Sequence, residues 1–217
     1  ASRASACAAG VPVPPALPGP VTGYASLRAA MDAHRWPRVF VKPAHGSSAS
    51  GVVALATAYA GIVTTYSLNR IDFDIEGAAV AEPASIALNA QALKLLQQQM
   101  PQLEIWYTLP VLPTGLTADG VNVVRKALEA GVKLDGVNIM AMDYGESAAP
   151  TSGPNAKTMG AYAIAAAEST HTQLTTLFSS FGQTFGWNQL GVTPMLGVND
   201  VLTEVFTTAD AQALENF

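Results

Sequence analysis

The sequence predicts an α/β fold in which parallel strands alternate with helices. From Arg70 onward, β-branched and apolar runs of about six residues alternate with longer stretches of helical spacing. Such alternation requires parallel strands joined by right-handed crossovers. At 217 residues the chain can also bury a sizeable core, and its single cysteine, Cys7, excludes a disulfide framework within the chain.

Four strands and four helices make up this alternation. The strands are expected at Arg70 to Glu76, Leu103 to Leu109, Gly136 to Met142 and Gln189 to Gly197. The helices are expected near Ala90 to Met100, Val121 to Ala130 and Thr158 to Phe181, with a last one starting near Ala209. Gly131 fits a C-terminal cap, and Thr208 fits the N-cap of the last helix.

The segment before Arg70 has a different composition. Prolines are dense in the first twenty residues and favour an extended arm, which a short helix and a short strand follow. Residues Val52 to Leu55 either return as a hairpin strand or begin a helix that runs to Tyr66, and the sequence leaves both open. We therefore expect a small α/β segment over residues 1–55 and a larger domain over residues 56–217.

Charge and hydropathy narrow the classes of partner. The net charge of −5 offers no basic surface for nucleic acid, and no apolar run is long enough to span a bilayer. Charged residues make up 12% of the chain, a composition that suits many secreted bacterial enzymes. The first ten residues lack the apolar stretch of a signal peptide, so composition alone supports an extracellular location.

The strongest chemical pattern is RIDFDIEG over residues 70–77. Side chains alternate along a strand, so Asp72, Asp74 and Glu76 share one face. Like charges in a row raise the pKa of at least one carboxyl, so the terminal Glu76 can stay protonated near neutrality and act as a general acid. A solvated acidic face and a divalent-cation site are the other interpretations of this pattern.

Four motifs in this order resemble family 18 of the glycoside hydrolases, the chitinases. IDFDIEG matches the D-x-D-x-E form of that family's active-site strand. LEIWYTLPVLPTGLT, GVNIMAMDYG and GVTPMLGVND resemble the three barrel strands that follow. The resemblance covers roughly residues 56–217 and implies strands four to seven of a (β/α)8 barrel, that is, a partial TIM barrel.

The resemblance implies a retaining, substrate-assisted cleavage of β-1,4-linked N-acetylglucosamine polymers. Glu76 would protonate the glycosidic oxygen, and the acetamido oxygen of the substrate would be the nucleophile. Asp74 would orient that acetamido group, and Asp72 would hold Asp74 and share its proton. The reaction requires no cofactor and no metal ion.

The same resemblance implies residues that bind the sugar. Asp143 and Tyr144 would form hydrogen bonds with the sugar and its acetamido group. Met140 and Met142 would line the floor of the site, although core filling is the commoner role of such methionines. Many members of the family have tyrosine at the position of Met142.

Two adjacent aromatic residues, Trp106 and Tyr107, are also candidates for sugar contact. They alternate along one strand, so only one of them can face the barrel interior. Sugar stacking is one role for that residue, and plain packing is the other.

The N-terminal residues suggest a different activity. Roughly residues 8–55, including RVFVKPAHGSSASGVVAL, resemble a fragment of the ATP-grasp family. In that family Lys42 would contact nucleotide phosphates, and the backbone amides of Gly46 to Gly51 would cradle them. The alternatives to a chitinase are therefore ATP-grasp-like nucleotide binding and a non-catalytic chitin-binding protein, and the presence of Glu76 argues against the latter.

Counterparts of barrel strands one to three and eight are not recognisable in the sequence. A partial barrel leaves two sheet edges with unpaired N–H and C=O groups. We therefore expect either marginal stability or self-association of the chain through these edges.

Overall fold

The computed structural model describes residues 49–217. Lys42 and the greater part of the segment that resembles ATP-grasp lie outside the described residues. Helix α1 (Ala49–Tyr66) begins the described part, so Val52 to Leu55 are helical, and the hairpin alternative for these residues is wrong. The division of the chain between residues 55 and 56 stays a prediction.

The elements alternate as the sequence predicts. After α1 they are β1 (Arg70–Asp74), α2 (Pro83–Gln99), β2 (Glu104–Leu112), β3 (Gly115–Leu116), α3 (Ala118–Glu129), β4 (Gly136–Ala141), α4 (Met159–Ser179), β5 (Leu190–Pro194), β6 (Gly197–Val198), β7 (Val205–Phe206) and α5 (Thr208–Glu215). Short 3₁₀ helices occupy Gly77–Ala81 and Trp187–Gln189.

Four of the strands form one parallel sheet in the order β1, β2, β4, β5. Each strand pairs with the next long strand along the chain, as in a (β/α) barrel. Strand β3 pairs antiparallel with the end of β2, and β6 and β7 form a separate antiparallel pair. The predicted α/β class and partial barrel are confirmed, and within residues 49–217 the sheet does not close on itself.

The helices cover one face of the sheet and bury its apolar side chains. The ring of Phe73 on β1 lies edge-on between Tyr59 of α1, 4.9 Å away, and Tyr107 of β2, 6.2 Å away. The Tyr107 hydroxyl donates to Oδ1 of Asn89 on α2 over 2.7 Å. These contacts join two helices to two strands, and they define the helix-facing side of the sheet.

Several boundaries differ from the sequence-based expectation for local reasons. Helix α2 starts at Pro83 rather than near Ala90, because Glu82 caps the amide of Ala84 and proline suits the first helical position. The N-cap of α5 is Thr207, not Thr208. Gly131, with φ of 75°, follows α3 as the predicted C-terminal cap.

No described helix is both long and apolar enough to cross a membrane.

A buried carboxylate joins the starts of the last two helices. Asp210 is 5% exposed, and its Oδ1 accepts from the Gly160 amide at the start of α4 over 2.7 Å. Its Oδ2 accepts from the Thr207 amide and hydroxyl over 2.8 and 2.6 Å. Burial alone would raise the pKa of Asp210, but these hydrogen bonds outweigh it and hold the pKa below its ordinary value.

We predict that Asp210→Asn lowers the free energy of unfolding by about 1–2 kcal/mol at pH 7, because an amide cannot accept on both of its heteroatoms. Chemical denaturation of both proteins measures this difference. Glu168→Gln, on the exposed surface of α4, is the matched control and should have little effect.

The stabilisation by Asp210 should also depend on pH. A lowered pKa in the folded state contributes stability above the ordinary aspartate pKa of about 3.9, and this contribution disappears as pH falls through the lowered value. A difference between the two proteins that stays constant down to pH 2 would contradict this account.

Candidate active site

The three carboxylates of the first strand lie on the face opposite the helices. Asp72 and Asp74 are half-buried and alternate with buried apolar residues. The Ile75 amide continues the ladder to the Thr108 carbonyl over 3.0 Å, and Glu76 is extended with φ of −140°. The alternation therefore continues to Glu76, which is exposed at the carboxyl end of the strand, where active sites of barrels lie.

Asp72 is half-buried and is hydrogen-bonded to the neighbouring strand. The Thr108 hydroxyl on β2 donates to its Oδ1 over 2.8 Å. Burial raises the pKa of Asp72 above its ordinary value, the Thr108 hydrogen bond opposes that rise, and the charge of Asp74 adds to it. The expected rise in the pKa of at least one carboxyl therefore occurs at Asp72.

A chain of hydrogen bonds extends from Asp72 across the sheet. Nδ2 of Asn138 on β4 donates to the Thr108 hydroxyl over 3.1 Å, and the Thr193 hydroxyl on β5 donates to Oδ1 of Asn138 over 3.0 Å. We call Thr108, Asn138 and Thr193 the polar chain. Sequence reasoning missed it, although polar residues at same-face positions of three apolar strands were the signal.

The two aromatic candidates take opposite sides of β2. Trp106 lies on the carboxylate side, with the Arg70 guanidinium 4.7 Å from its ring centroid. Its benzo ring covers Gly136, where an added Cβ would come within 2.4 Å of ring atoms. Tyr107 faces the helices and binds Asn89, so the structure removes Tyr107 from the candidate site because strand alternation turns it into the core.

Asp143 follows β4 and is held by the loop after β5. Its Oδ1 accepts from the Val201 amide over 2.8 Å, and its own amide donates to Oδ1 of the buried Asn199 over 3.4 Å. Asp143 has φ of 51°, a left-handed conformation that aspartate tolerates better than most residues. The backbone thus turns sharply at this predicted sugar ligand.

Tyr144 is buried beside the same loop. Its amide and that of Gly145 donate to the carboxylate of Glu204, which is fully buried, over 3.1 and 2.7 Å. The Tyr144 ring lies edge-on to Tyr162 at 6.4 Å, and its hydroxyl has no hydrogen-bond partner within the described residues. Burial, with the nearby charge of Glu204, raises the pKa of this hydroxyl.

The two methionines lie at the end of β4. Met140 follows Asn138 by two residues on the strand and therefore shares its face, and Met142 donates its amide to the Met140 carbonyl over 3.0 Å. Both side chains are partly buried. Their position agrees with the floor of a site and equally with packing.

Asn199 and Glu204 bind the backbone amides of Asp143, Tyr144 and Gly145, and sequence reasoning did not identify them. Asn199 lies inside the motif GVTPMLGVND, but its role depends on contacts more than fifty residues away in sequence. Glu204 is a single acid in the apolar run VLTEVF, which was the only available signal.

Metal binding gains no support from this geometry. Within residues 49–217 no group of three or more His, Cys, Asp or Glu side chains is placed to hold a metal ion. The divalent-cation interpretation of the acidic strand therefore has no structural observation behind it.

Comparison with curated proteins finds similarity to chitinases. The chain is 42% identical over 173 residues to the probable bifunctional chitinase/lysozyme of Escherichia coli and, to the same extent, to endochitinase 11 of Metarhizium anisopliae. Each alignment covers 76% of this chain, but only 19% and 33% of those proteins. No model of a protein family matches the chain.

Solved structures give the same result. The catalytic domain of a hyperthermophilic chitinase from Pyrococcus furiosus matches with a TM-score of 0.66 and 31% identity, over 81% of this chain and 54% of that domain. Catalytic-site mutants of a chitinase domain from the same organism, complexed with chito-oligosaccharides, match with a TM-score of 0.64 and 30% identity, over 81% of this chain and 55% of theirs.

The chain thus spans about half of the solved catalytic domains and a third or less of the curated relatives that it matches. The similarity agrees with the fold, with the order of the strands and with the motif on β1. The resemblance to the family 18 chitinases is thus confirmed, and it extends over part of their catalytic domain.

Proposed function

We propose that this chain is a glycoside hydrolase of the chitinase type that cleaves β-1,4-linked N-acetylglucosamine polymers. The observation that carries the proposal is the row of Asp72, Asp74 and Glu76 on one face of β1, ending at the carboxyl edge of a parallel sheet. The similarity to chitinases supports the same reaction class.

The three carboxylates would divide the work by position. Glu76, the exposed member, would donate a proton to the glycosidic oxygen while the substrate's acetamido oxygen attacks the anomeric carbon. Asp74 would hold the acetamido group and stabilise the positive charge that develops on it. Asp72 would share a proton with Asp74, which fits its enclosed position and raised pKa. Water would then open the cyclic intermediate, with Glu76 as the base, and configuration would be retained.

The residues after β4 and on β2 would bind the sugar. Asp143 accepts the Val201 amide with Oδ1, so Oδ2 is the atom that we assign to the substrate. The buried Tyr144 hydroxyl lacks a partner among the described residues and would gain one from a sugar group. The remaining proposed contacts are Met140, Met142 and Trp106.

The alternatives are less well supported. Nucleotide binding of the ATP-grasp kind rests on the sequence of Lys42 and the Gly-Ser segment alone. A non-catalytic chitin-binding protein does not require the acid, yet Glu76 is present at the end of β1. Neither alternative is favoured by the similar proteins.

We predict that calorimetric titration with a chitin oligosaccharide gives weak binding, and that titration with ATP and Mg²⁺ gives none. Sugar binding is expected to be weak because the described sheet is open and walls only part of a groove. ATP binding that Lys42→Ala abolishes would reverse the ranking of the two enzyme hypotheses.

Location and assembly are further proposals. The low charge content supports an extracellular location, which cell fractionation would check.

Within the described residues β1 pairs only with β2, and β5 pairs only with β4 in the large sheet. We expect the chain to self-associate through these edges, so that light scattering shows a mass that rises with concentration. A concentration-independent monomer would contradict this expectation.

We predict that Glu76→Gln reduces the hydrolysis of chitin oligosaccharides by several orders of magnitude, while folding and sugar binding persist. The amide keeps the size of the side chain but cannot donate the acid's proton. Glu82→Gln, also exposed and near in sequence, is the matched control and should retain activity. Undiminished hydrolysis by Glu76→Gln would remove Glu76 from the mechanism.

A further inference from the structure

We propose that the polar chain of Thr108, Asn138 and Thr193 positions Asp72, by committing its Oδ1 to a hydrogen bond and leaving Oδ2 to carry the proton exchanged with Asp74. The inference rests on the proposed function for its catalytic meaning. Its structural content, the orientation of Asp72, is independent of hydrolysis.

All the hydrogen bonds of the polar chain point toward Asp72, because each donor lies farther from Asp72 than its acceptor. A threonine hydroxyl has one proton, and Thr108 gives it to Asp72, so Thr108 must accept from its other neighbour. Nδ2 of Asn138 supplies that hydrogen bond, which turns Oδ1 of Asn138 toward Thr193, whose hydroxyl donates to it. Reversing the Asn138 amide would place its oxygen against the Thr108 oxygen, two acceptors with no proton between them.

The backbone of the sheet accommodates this chain. Thr108 and Asn138 are directly opposite each other in the β2 and β4 register. Gly191 of β5 lies opposite Asn138, and an added Cβ at Gly191 would come within 2.8 Å of Oδ1 of Asn138. The absence of a side chain at residue 191 therefore leaves room for the amide orientation that the chain requires.

Because Thr108 is buried, water cannot easily replace the hydrogen bond that Thr108 donates to Asp72. Thr108 is 6% exposed, so water has little access to Oδ1 of Asp72 from this side. A hydrogen bond to an ionised group in such surroundings is stronger than one between neutral groups. The charged groups that act on Asp72 are Asp74 and Arg70, both on β1, and the polar chain contributes no charge of its own.

The test compares Thr108→Val, which keeps the shape and removes the hydroxyl, with Thr108→Ser, which keeps the hydroxyl. The pKa of Asp72 is measured in the full chain by NMR titration of its side-chain carboxyl carbon. Loss of the Thr108 donor should raise this pKa by roughly one pH unit in the valine variant, and the serine variant should stay near the wild type. Thr57→Val, an exposed threonine of α1, controls for the substitution itself.

A second variant keeps the test decisive if Thr108→Val does not fold. Thr193 is exposed, so Thr193→Val should fold, and it should raise the pKa of Asp72 in the same direction by a smaller amount. An unchanged pKa of Asp72 in every folded variant of the polar chain would overturn the proposal.

Kinetics separates this inference from the proposed function. In an active enzyme, Thr108→Val should lower kcat and shift the pH profile of kcat, with little change in KM, and Thr108→Ser should restore both. If the wild type does not hydrolyse chitin, the proposed function fails, whereas the NMR titration still decides whether the polar chain orients Asp72. A pH profile of kcat that is identical in the wild type and Thr108→Val would count against the proposal.

Discussion

The side-chain alternation of β1 is the constraint on which the rest of this structure depends. One face of the strand packs against α1, with Phe73 between tyrosine rings of α1 and β2. Burial of each such side chain stabilises the fold by about 1.5–3 kcal/mol. A slip of one residue would turn the carboxylates into this core, where unpaired charges are costly. The packing of the core therefore places Asp72, Asp74 and Glu76 on the opposite face.

The neighbouring strands repeat the same alternation. It determines which side chains lie on the face opposite the helices, which we call the inner face. Toward the amino end, Trp106 fills the space over Gly136 and contacts Arg70. In the middle, the side chains of the polar chain form hydrogen bonds with one another and with Oδ1 of Asp72. At the carboxyl end, the loop after β5 fixes the turn at Asp143 through Asn199 and Glu204. Packing, hydrogen bonding and the proposed sugar-binding residues thus occupy successive levels of one face.

The fold and the acidic strand were predictable because they depend on local pattern. Periodicity two in β1 and the repeated βα spacing are properties of short segments, and both predictions are confirmed. The choice between Trp106 and Tyr107 was not predictable, since alternation alone does not say which side faces the helices. Apolar spacing did not predict the start of α2, because the first turn is set by the Glu82 cap and by Pro83 at the first helical position. Contacts such as that of Glu204 with Gly145 join residues distant in sequence, so no local pattern announces them.

The central claim is that the inner face of the sheet, at the carboxyl end of β1, binds and cleaves an N-acetylglucosamine chain. NMR of the isotope-labelled chain, titrated with a chitin tetramer, tests the location most directly. The account predicts shift changes that concentrate on Asp74, Glu76 and Asp143, with helix-facing residues such as Tyr107 little affected. Changes confined to the helices, or the same changes with a cellulose tetramer that lacks the acetamido group, would contradict it.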